Sequence, residues 1–141
     1  MRRLIITCLI VLPILTYAQD SYGDKDIIGY KIESIFFEGG SYYIDEDQKQ
    51  KIMEFLEGEI LENYEIHIHS HTDNIGSMRY NQWLSEMRSY ATYRELQNIG
   101  IALDQLFIKD HGLHNPEFDN NTWEGRAQNR RVDIVLWPLP L

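Results

Sequence analysis

The segment from Glu65 to His71 alternates without a break, with Ile66 and Ile68 on one side and His67, His69 and His71 on the other. Alternation at a period of two places successive side chains on opposite faces of a strand, so this segment predicts a strand with one apolar face. A polar turn, Thr72 to Gly76, follows it. Ser77 is then placed to cap a long helix that runs to about Ile99 and stops at Gly100, where helices commonly close with positive φ. A strand, a tight polar turn and a long helix therefore form the centre of the chain.

The flanks extend this pattern. Lys31 to Phe37 reads as a strand rich in β-prone bulk, broken by Gly39-Gly40. Asp45 opens a helix with acidic residues in its first turn, and Ile52, Phe55, Leu56 and Ile60 recur at helical spacing to make one buried face. Gln105 to Lys109 reads as a short strand and His111 to Gly125 as a long polar loop. Arg131 to Trp137 is the last strand, stopped by Pro138 and Pro140. The order β-α-β-α-β-β predicts an α/β sandwich with a mixed four-stranded sheet and two main helices on one face. Ile66, Ile68, Ile134 and Leu136 should face the helices, and the histidines should occupy a solvated opposite face.

Ahead of this domain, Met1 to Ala18 carries the parts of a secretory signal: Arg2-Arg3, an apolar run from Leu4 to Leu15, and small residues at Thr16 and Ala18. The run is shorter than the roughly 20 residues a bilayer span needs. Cleavage before Gln19 would remove Cys8, the only cysteine, and the alternative of lipidation at Cys8 fits poorly because Thr7 precedes it. The expected layout is a signal at 1–18, a flexible lead-in at 19–30 and one domain at 31–141. Without Arg2 and Arg3 the formal charge falls from −9 to −11. So acidic a surface excludes nucleic acid and anionic lipid headgroups as general partners, and no transmembrane segment is expected after the signal.

Residues 70–88 hold the densest chemistry. Asp73 sits at the C-terminal edge of a strand, a common place for sites in such sheets. Leu84, Arg88 and Thr92 share a helix stripe, so Arg88 should lean along the buried margin and need an acceptor. Asp73, or a ligand carboxylate, could supply it. Three histidines on one strand face lie roughly 6–7 Å apart and do not converge easily on one metal ion. Neither a metal site nor any other cofactor is expected. Ser85 lacks a nucleophile-elbow setting and no base is placed for it by spacing, so no enzyme is expected. Tyr80, Trp83, Tyr90 and Tyr93 read as core and rim aromatics. Arg126, Arg130 and Arg131 either pair with nearby carboxylates or make a pocket wall positive.

The ordered set His71-Thr72-Asp73-Asn74-Ile75-Gly76-Ser77, Tyr80-Asn81-Gln82, Leu84-Ser85 and Arg88 resembles the OmpA-like C-terminal domain family. The downstream set Gly100-Ile101, Gly112, Asn115-Pro116, Asn120, Glu124 to Ala127 and Asn129 to Ile134 extends the resemblance, which covers roughly residues 32–135. It implies noncovalent binding of peptidoglycan in the periplasm, through the meso-diaminopimelate of the stem peptide. It also implies an association with the cell wall or outer membrane, where an outer-membrane protein could be a partner. Carried over by position, Asp73 would take the ammonium group and Arg88 the carboxylate, with Thr72, Asn74, Asn81, Leu84 and Arg131 supporting the pocket. Helix amides near Ser77 could add donors. An alternative keeps the fold as a protein-interaction module, docking through the aromatic or histidine face. The chain departs from the family's usual pattern at Ser70, Gly39-Gly40, Ser89 and Thr92.

Overall fold

The computed structural model describes residues 29–140. The signal, Cys8 and nearly all of the lead-in lie outside the described residues. Tyr30, at the end of that lead-in, is buried and stacks on Trp137 with ring centroids 5.3 Å apart.

Four strands form one sheet: β1 (Lys31–Phe36), β2 (Tyr64–His71), β3 (Leu106–Gly112) and β4 (Arg131–Pro138). Their spatial order is β1-β4-β2-β3. β1 and β2 both pair antiparallel to β4, and β2 pairs parallel to β3. The sheet is mixed, as expected from the alternation of strands and helices. Helix α1 (Glu46–Leu56) and helix α2 (Met78–Asn98) cover one face. Ile66, Ile68, Val132, Ile134 and Leu136 face them, joined by Ile35 from β1 and by Ile52 and Leu96 from the helices. Each of these side chains is nearly or wholly removed from water, and such burial contributes roughly 1.5–3 kcal/mol per aliphatic side chain.

The helix ends follow from local chemistry. Asp45 accepts from the Gln48 N–H while the Gln48 side chain accepts from the Asp45 N–H, a reciprocal capping box. Ser77 accepts from the Tyr80 N–H to cap α2. Gly100 takes φ +97°, closing α2 as its position implied. Ile60 departs from expectation. Helix α1 stops at Leu56, Gly58 turns the chain with positive φ, and Ile60 is 65% exposed.

The expected loop from His111 to Gly125 is shorter than its composition implied. β3 continues to Gly112, because pairing with β2 recruits His111 and Gly112 across a register shift at Ser70/His71. At the far end a third helix, α3 (Trp123–Asn129), is capped by Thr122 through the Gly125 N–H. Gly125 is a requirement of packing. A Cβ there would lie 2.0 Å from the Asp119 carbonyl oxygen, which is backbone and cannot swing aside. Gly125→Ala is expected to cost about 3 kcal/mol of stability, read as a lowered urea midpoint at unchanged m-value.

Candidate functional site

Two loops and two strand ends converge beside the N-terminus of α2. β2 ends at His71, and Thr72-Asp73 follows directly. Asp73 Oδ1 accepts the Ile75 N–H at 3.0 Å, which shapes the turn toward Ser77. Asp73 Oδ2 accepts from Arg130 Nη1 at 3.0 Å. Arg130 ends α3 immediately before β4, and its Nε donates to the Phe37 carbonyl at 3.1 Å. Of the acceptors open to Arg88, Asp73 is instead taken by Arg130. The physical reason is register: the β1–β4 ladder carries Arg130 to the rim of the sheet beside Asp73.

Arg88 lies deeper than a buried margin. It is fully buried, and three of its five N–H bonds donate to backbone carbonyls: Nε to Ser41 at 2.8 Å, Nη1 to His71 at 3.1 Å and Nη2 to Glu38 at 3.1 Å. Its guanidinium lies 4.9 Å from the centre of the Phe37 ring. Burial pushes Arg88 down to about 10, opposed by the nearby charge of Asp73, so it stays protonated at neutral pH. One fork-shaped cation thus ties the end of β2 to the Gly39-Gly40 turn, which a point-like ammonium could not do. The departure at Gly39-Gly40 is the turn that brings the Glu38 and Ser41 carbonyls to this cation.

Thr72, Asn81 and Leu84 are buried around Asp73 and Arg88, whereas Asn74 is exposed. Asn81 Nδ2 donates to the Ile75 carbonyl at 3.1 Å. The Thr72 hydroxyl and the Asn81 carbonyl oxygen are buried without a hydrogen-bond partner. Native structures rarely leave such atoms unpaired, because each costs about 1–3 kcal/mol of uncompensated desolvation. A cleft of about 330 Å³ opens alongside, lined by Phe37, Glu38, Ser41, Tyr43, Gln48 and Arg130 among others.

Arg131 does not join this site. One residue beyond Arg130 on a strand, it points to the opposite face. There Nε bonds both Asp133 carboxylate oxygens at 3.1 Å and Nη2 bonds Glu117 at 2.6 Å. Arg126 donates to the Asn120 carbonyl at 2.9 Å. Of the two readings of the arginine cluster, pairing with carboxylates holds for Arg130 and Arg131.

Three of the departures from the family's pattern carry hydroxyls that the structure uses. The Ser70 hydroxyl donates to Asp110 Oδ1 at 2.9 Å and touches the Ser85 hydroxyl; the Ser89 hydroxyl also donates to Asp110. Ser85 in turn accepts the Gly112 N–H at 3.1 Å. These groups stitch β2, β3 and α2 together under the register shift. Thr92 donates to the Arg88 carbonyl at 3.0 Å, within α2.

The histidine face is less solvated than expected. The sheet's open side is covered in part by the segment after β3, where Phe118 sits 5.3 Å from the Arg131 guanidinium. His71 is 9% exposed and stacks on His111 at 4.6 Å, and His111 Nε2 lies 3.2 Å from His69 Nδ1. Among the described residues, no group of three or more His, Cys, Asp or Glu side chains is arranged to hold a metal ion. Burial, then the Arg131 charge, pushes His71 down to about 2; burial, then His111, pushes His69 down to about 4. Both are neutral in the folded protein at mildly acid pH, whereas the unfolded chain takes up protons below 6.5. Their contribution is complete above 6.5 and is lost as pH falls. Protonation of unfolded His71 alone should lower stability by about 2 kcal/mol at pH 5 relative to pH 7.5. Thermal unfolding across this range checks it, with His71→Gln expected to flatten the slope by about one proton.

A mixed four-stranded sheet backed on one face by two helices, with a charged cluster at the end of its parallel pair, defines an α/β sandwich. Residues 36–130 match the OmpA family, and the chain belongs to that family. It is 35% identical over 71 residues to the outer-membrane lipoprotein YfiB of Pseudomonas aeruginosa, covering 50% of this chain and 42% of that one. It is 42% identical over 69 residues to the peptidoglycan-binding protein ArfA of Mycobacterium bovis, covering 49% and 21%. The chain thus spans less than half the length of these curated relatives. The peptidoglycan-associated lipoprotein of Burkholderia pseudomallei superposes with TM-score 0.67 at 26% identity, covering 73% of this chain and 88% of that one. The periplasmic domain of Helicobacter pylori MotB, at 23% identity and TM-score 0.64, shares the fold.

Proposed function

We propose that this chain is a nonenzymatic module of the cell envelope that holds peptidoglycan noncovalently on the periplasmic side, through meso-diaminopimelate in the stem peptide. The names of its relatives support the cell wall as the partner: one is a peptidoglycan-binding protein and another a peptidoglycan-associated lipoprotein. The observation that carries the site is the pair of unpartnered buried oxygens, on Thr72 and Asn81, flanking Asp73.

The free end of diaminopimelate is a zwitterion, with an ammonium and a carboxylate on one carbon. An ammonium has three N–H donors and no acceptor. Asp73 and the Asn81 oxygen would accept from it, at a place where both are already desolvated. Arg88 would give the carboxylate the two N–H bonds it does not spend on carbonyls, once the Gly39-Gly40 turn shifts to admit the ligand. Arg130 lines the neighbouring cleft and, paired with Asp73, would hold that carboxylate in place for the ligand. Lysine in the stem lacks the side-chain carboxylate and would leave Arg88 with no ligand partner, which costs affinity.

Cosedimentation with purified sacculi tests this. The protein should pellet with diaminopimelate-type sacculi and at least tenfold more weakly with lysine-type sacculi. Equal pelleting with both would remove the diaminopimelate assignment. No pelleting with either would move the protein-docking reading to first place, with the rings of Trp137, His67 and Phe107 on the open sheet face as its surface.

A further inference from the structure

Tyr42, Tyr80 and Trp83 form a connected cluster of exposed rings. Trp83 meets Tyr42 edge-on, with centroids 5.9 Å apart at 84°, and meets Tyr80 at 5.8 Å and 35°. The three are 40%, 40% and 44% exposed respectively. Single exposed aromatics are ordinary, but three in mutual contact hold a large apolar area in water and mark a contact surface.

This cluster is built onto the rim of the site. Tyr42 follows Ser41, whose carbonyl accepts Arg88 Nε. The Tyr80 ring fits between two glycine turns: a Cβ on Gly76 would lie 2.9 Å from its Cδ1, and a Cβ on Gly40 would lie 3.2 Å from its hydroxyl. Gly76 closes the turn that carries Asp73, and Gly40 lies in the turn that covers Arg88. The rings therefore continue the surface of both loops that frame the proposed peptide site.

We infer that Tyr42, Tyr80 and Trp83 form a saccharide platform that takes the amino-sugar rings of the glycan strand while the neighbouring site takes the stem peptide. The inference rests on the peptidoglycan reading. A stem residue two or three positions from its sugar brings that sugar within about 10 Å of the peptide site. A sugar ring presents C–H bonds with partial positive charge, which suit the negative face of an aromatic ring. The strand's sugars need no cationic surface, so an acidic protein with formal charge −9 can present uncharged rings to them. Rings set edge-on and tilted offer separate faces to successive sugars rather than one flat patch for a protein helix.

The test titrates the full chain with three probes: peptide-free glycan strands, the stem tripeptide alone, and the tripeptide still joined to its amino sugar. The Trp83 indole N–H resonance, assigned by its absence in Trp83→Ala, is followed throughout. Glycan strands should shift that resonance, and the sugar-bearing peptide should bind about tenfold more tightly than the bare peptide. Trp83→Ala should erase this difference and leave bare-peptide affinity unchanged. Asp73→Asn should lose the peptide yet keep the Trp83 response to glycan. An unmoved Trp83 resonance, together with full affinity of Trp83→Ala for the sugar-bearing peptide, overturns the platform. So does a Trp83-dependent dimer in sedimentation velocity without any glycan response, which would assign the rings to a second copy of this chain. Glycan binding without peptide binding keeps the platform and removes the diaminopimelate reading instead.

Discussion

Arg88→Ala is expected to destabilise the domain by about 4 kcal/mol, among the largest effects a single substitution has here. The guanidinium is fully buried and serves carbonyls from three places in the sequence: Glu38, Ser41 and His71. Removing it leaves three carbonyls without their donors and opens a cavity beneath Phe37. Both losses add to the same penalty. Arg88→Lys keeps the charge but cannot reach all three carbonyls from one ammonium. It is expected to fold, to lose roughly half as much stability, and to fail to pellet with sacculi. Urea midpoints of both variants, read beside circular dichroism, check the first part. An Ala variant with a wild-type midpoint would mean that these carbonyls find other partners, and the anchoring role would be lost.

Asp73→Asn should shift the balance: a smaller change in stability and a large change in binding. Asparagine keeps the shape and one acceptor oxygen for the Ile75 N–H, so the turn persists. Arg130 retains its bond to the Phe37 carbonyl after losing the carboxylate. The stability cost should be about 1–2 kcal/mol, well below that of Arg88→Ala: the Asp73 and Arg130 side chains are only 10% and 20% exposed, so the lost charge is felt, but Arg130 keeps its carbonyl partner. The ligand ammonium, by contrast, loses a charge-assisted acceptor. That contact is worth about 1.5–3 kcal/mol, or roughly 10- to 100-fold in affinity for diaminopimelate-type sacculi. Unaltered pelleting by a folded Asp73→Asn protein would place the ammonium elsewhere.

The two substitutions separate the roles within a site that resemblance alone treats as a pair. Asp73 is set on the rim, with one oxygen shaping its own turn and the other held by Arg130. Arg88 is set underneath and organises the two loops between which a ligand would lie. A variant whose main loss is stability and a variant whose main loss is binding therefore report on different layers of one site.

The strand–turn–helix unit could be read directly from residue order. Strict alternation from Glu65 to His71 dictates which residues face the helices, and Ser77 and Gly100 mark both ends of α2 through backbone groups that a neighbouring side chain or a positive φ must satisfy. The placement of Asp73 at a strand end and Arg88 on the inward stripe of α2 was legible for the same reason: both depend on local periodicity. The extent of β3 and the existence of α3 were not. His111 and Gly112 become strand only because β2 offers them a ladder, and Trp123 to Asn129 holds little helical pattern of its own until Thr122 caps it.

Side-chain partnership was decided by tertiary structure alone. Arg130 and Arg131 are adjacent in the chain, yet register sends one to Asp73 and the other through the sheet to Asp133 and Glu117. Ser70, Ser85, Ser89 and Asp110 are scattered polar residues in the sequence and become one network only where β2, β3 and α2 meet. Tyr42 and Trp83 come from different elements and touch because the Gly39-Gly40 turn folds back over Arg88. Periodicity and capping act over a few residues, so the sequence alone determined the elements and their buried faces. Which charge meets which, and which rings share a surface, depends on contacts between residues far apart in the sequence, such as Asp73 and Arg130, 57 positions apart, and only the folded chain brings them together.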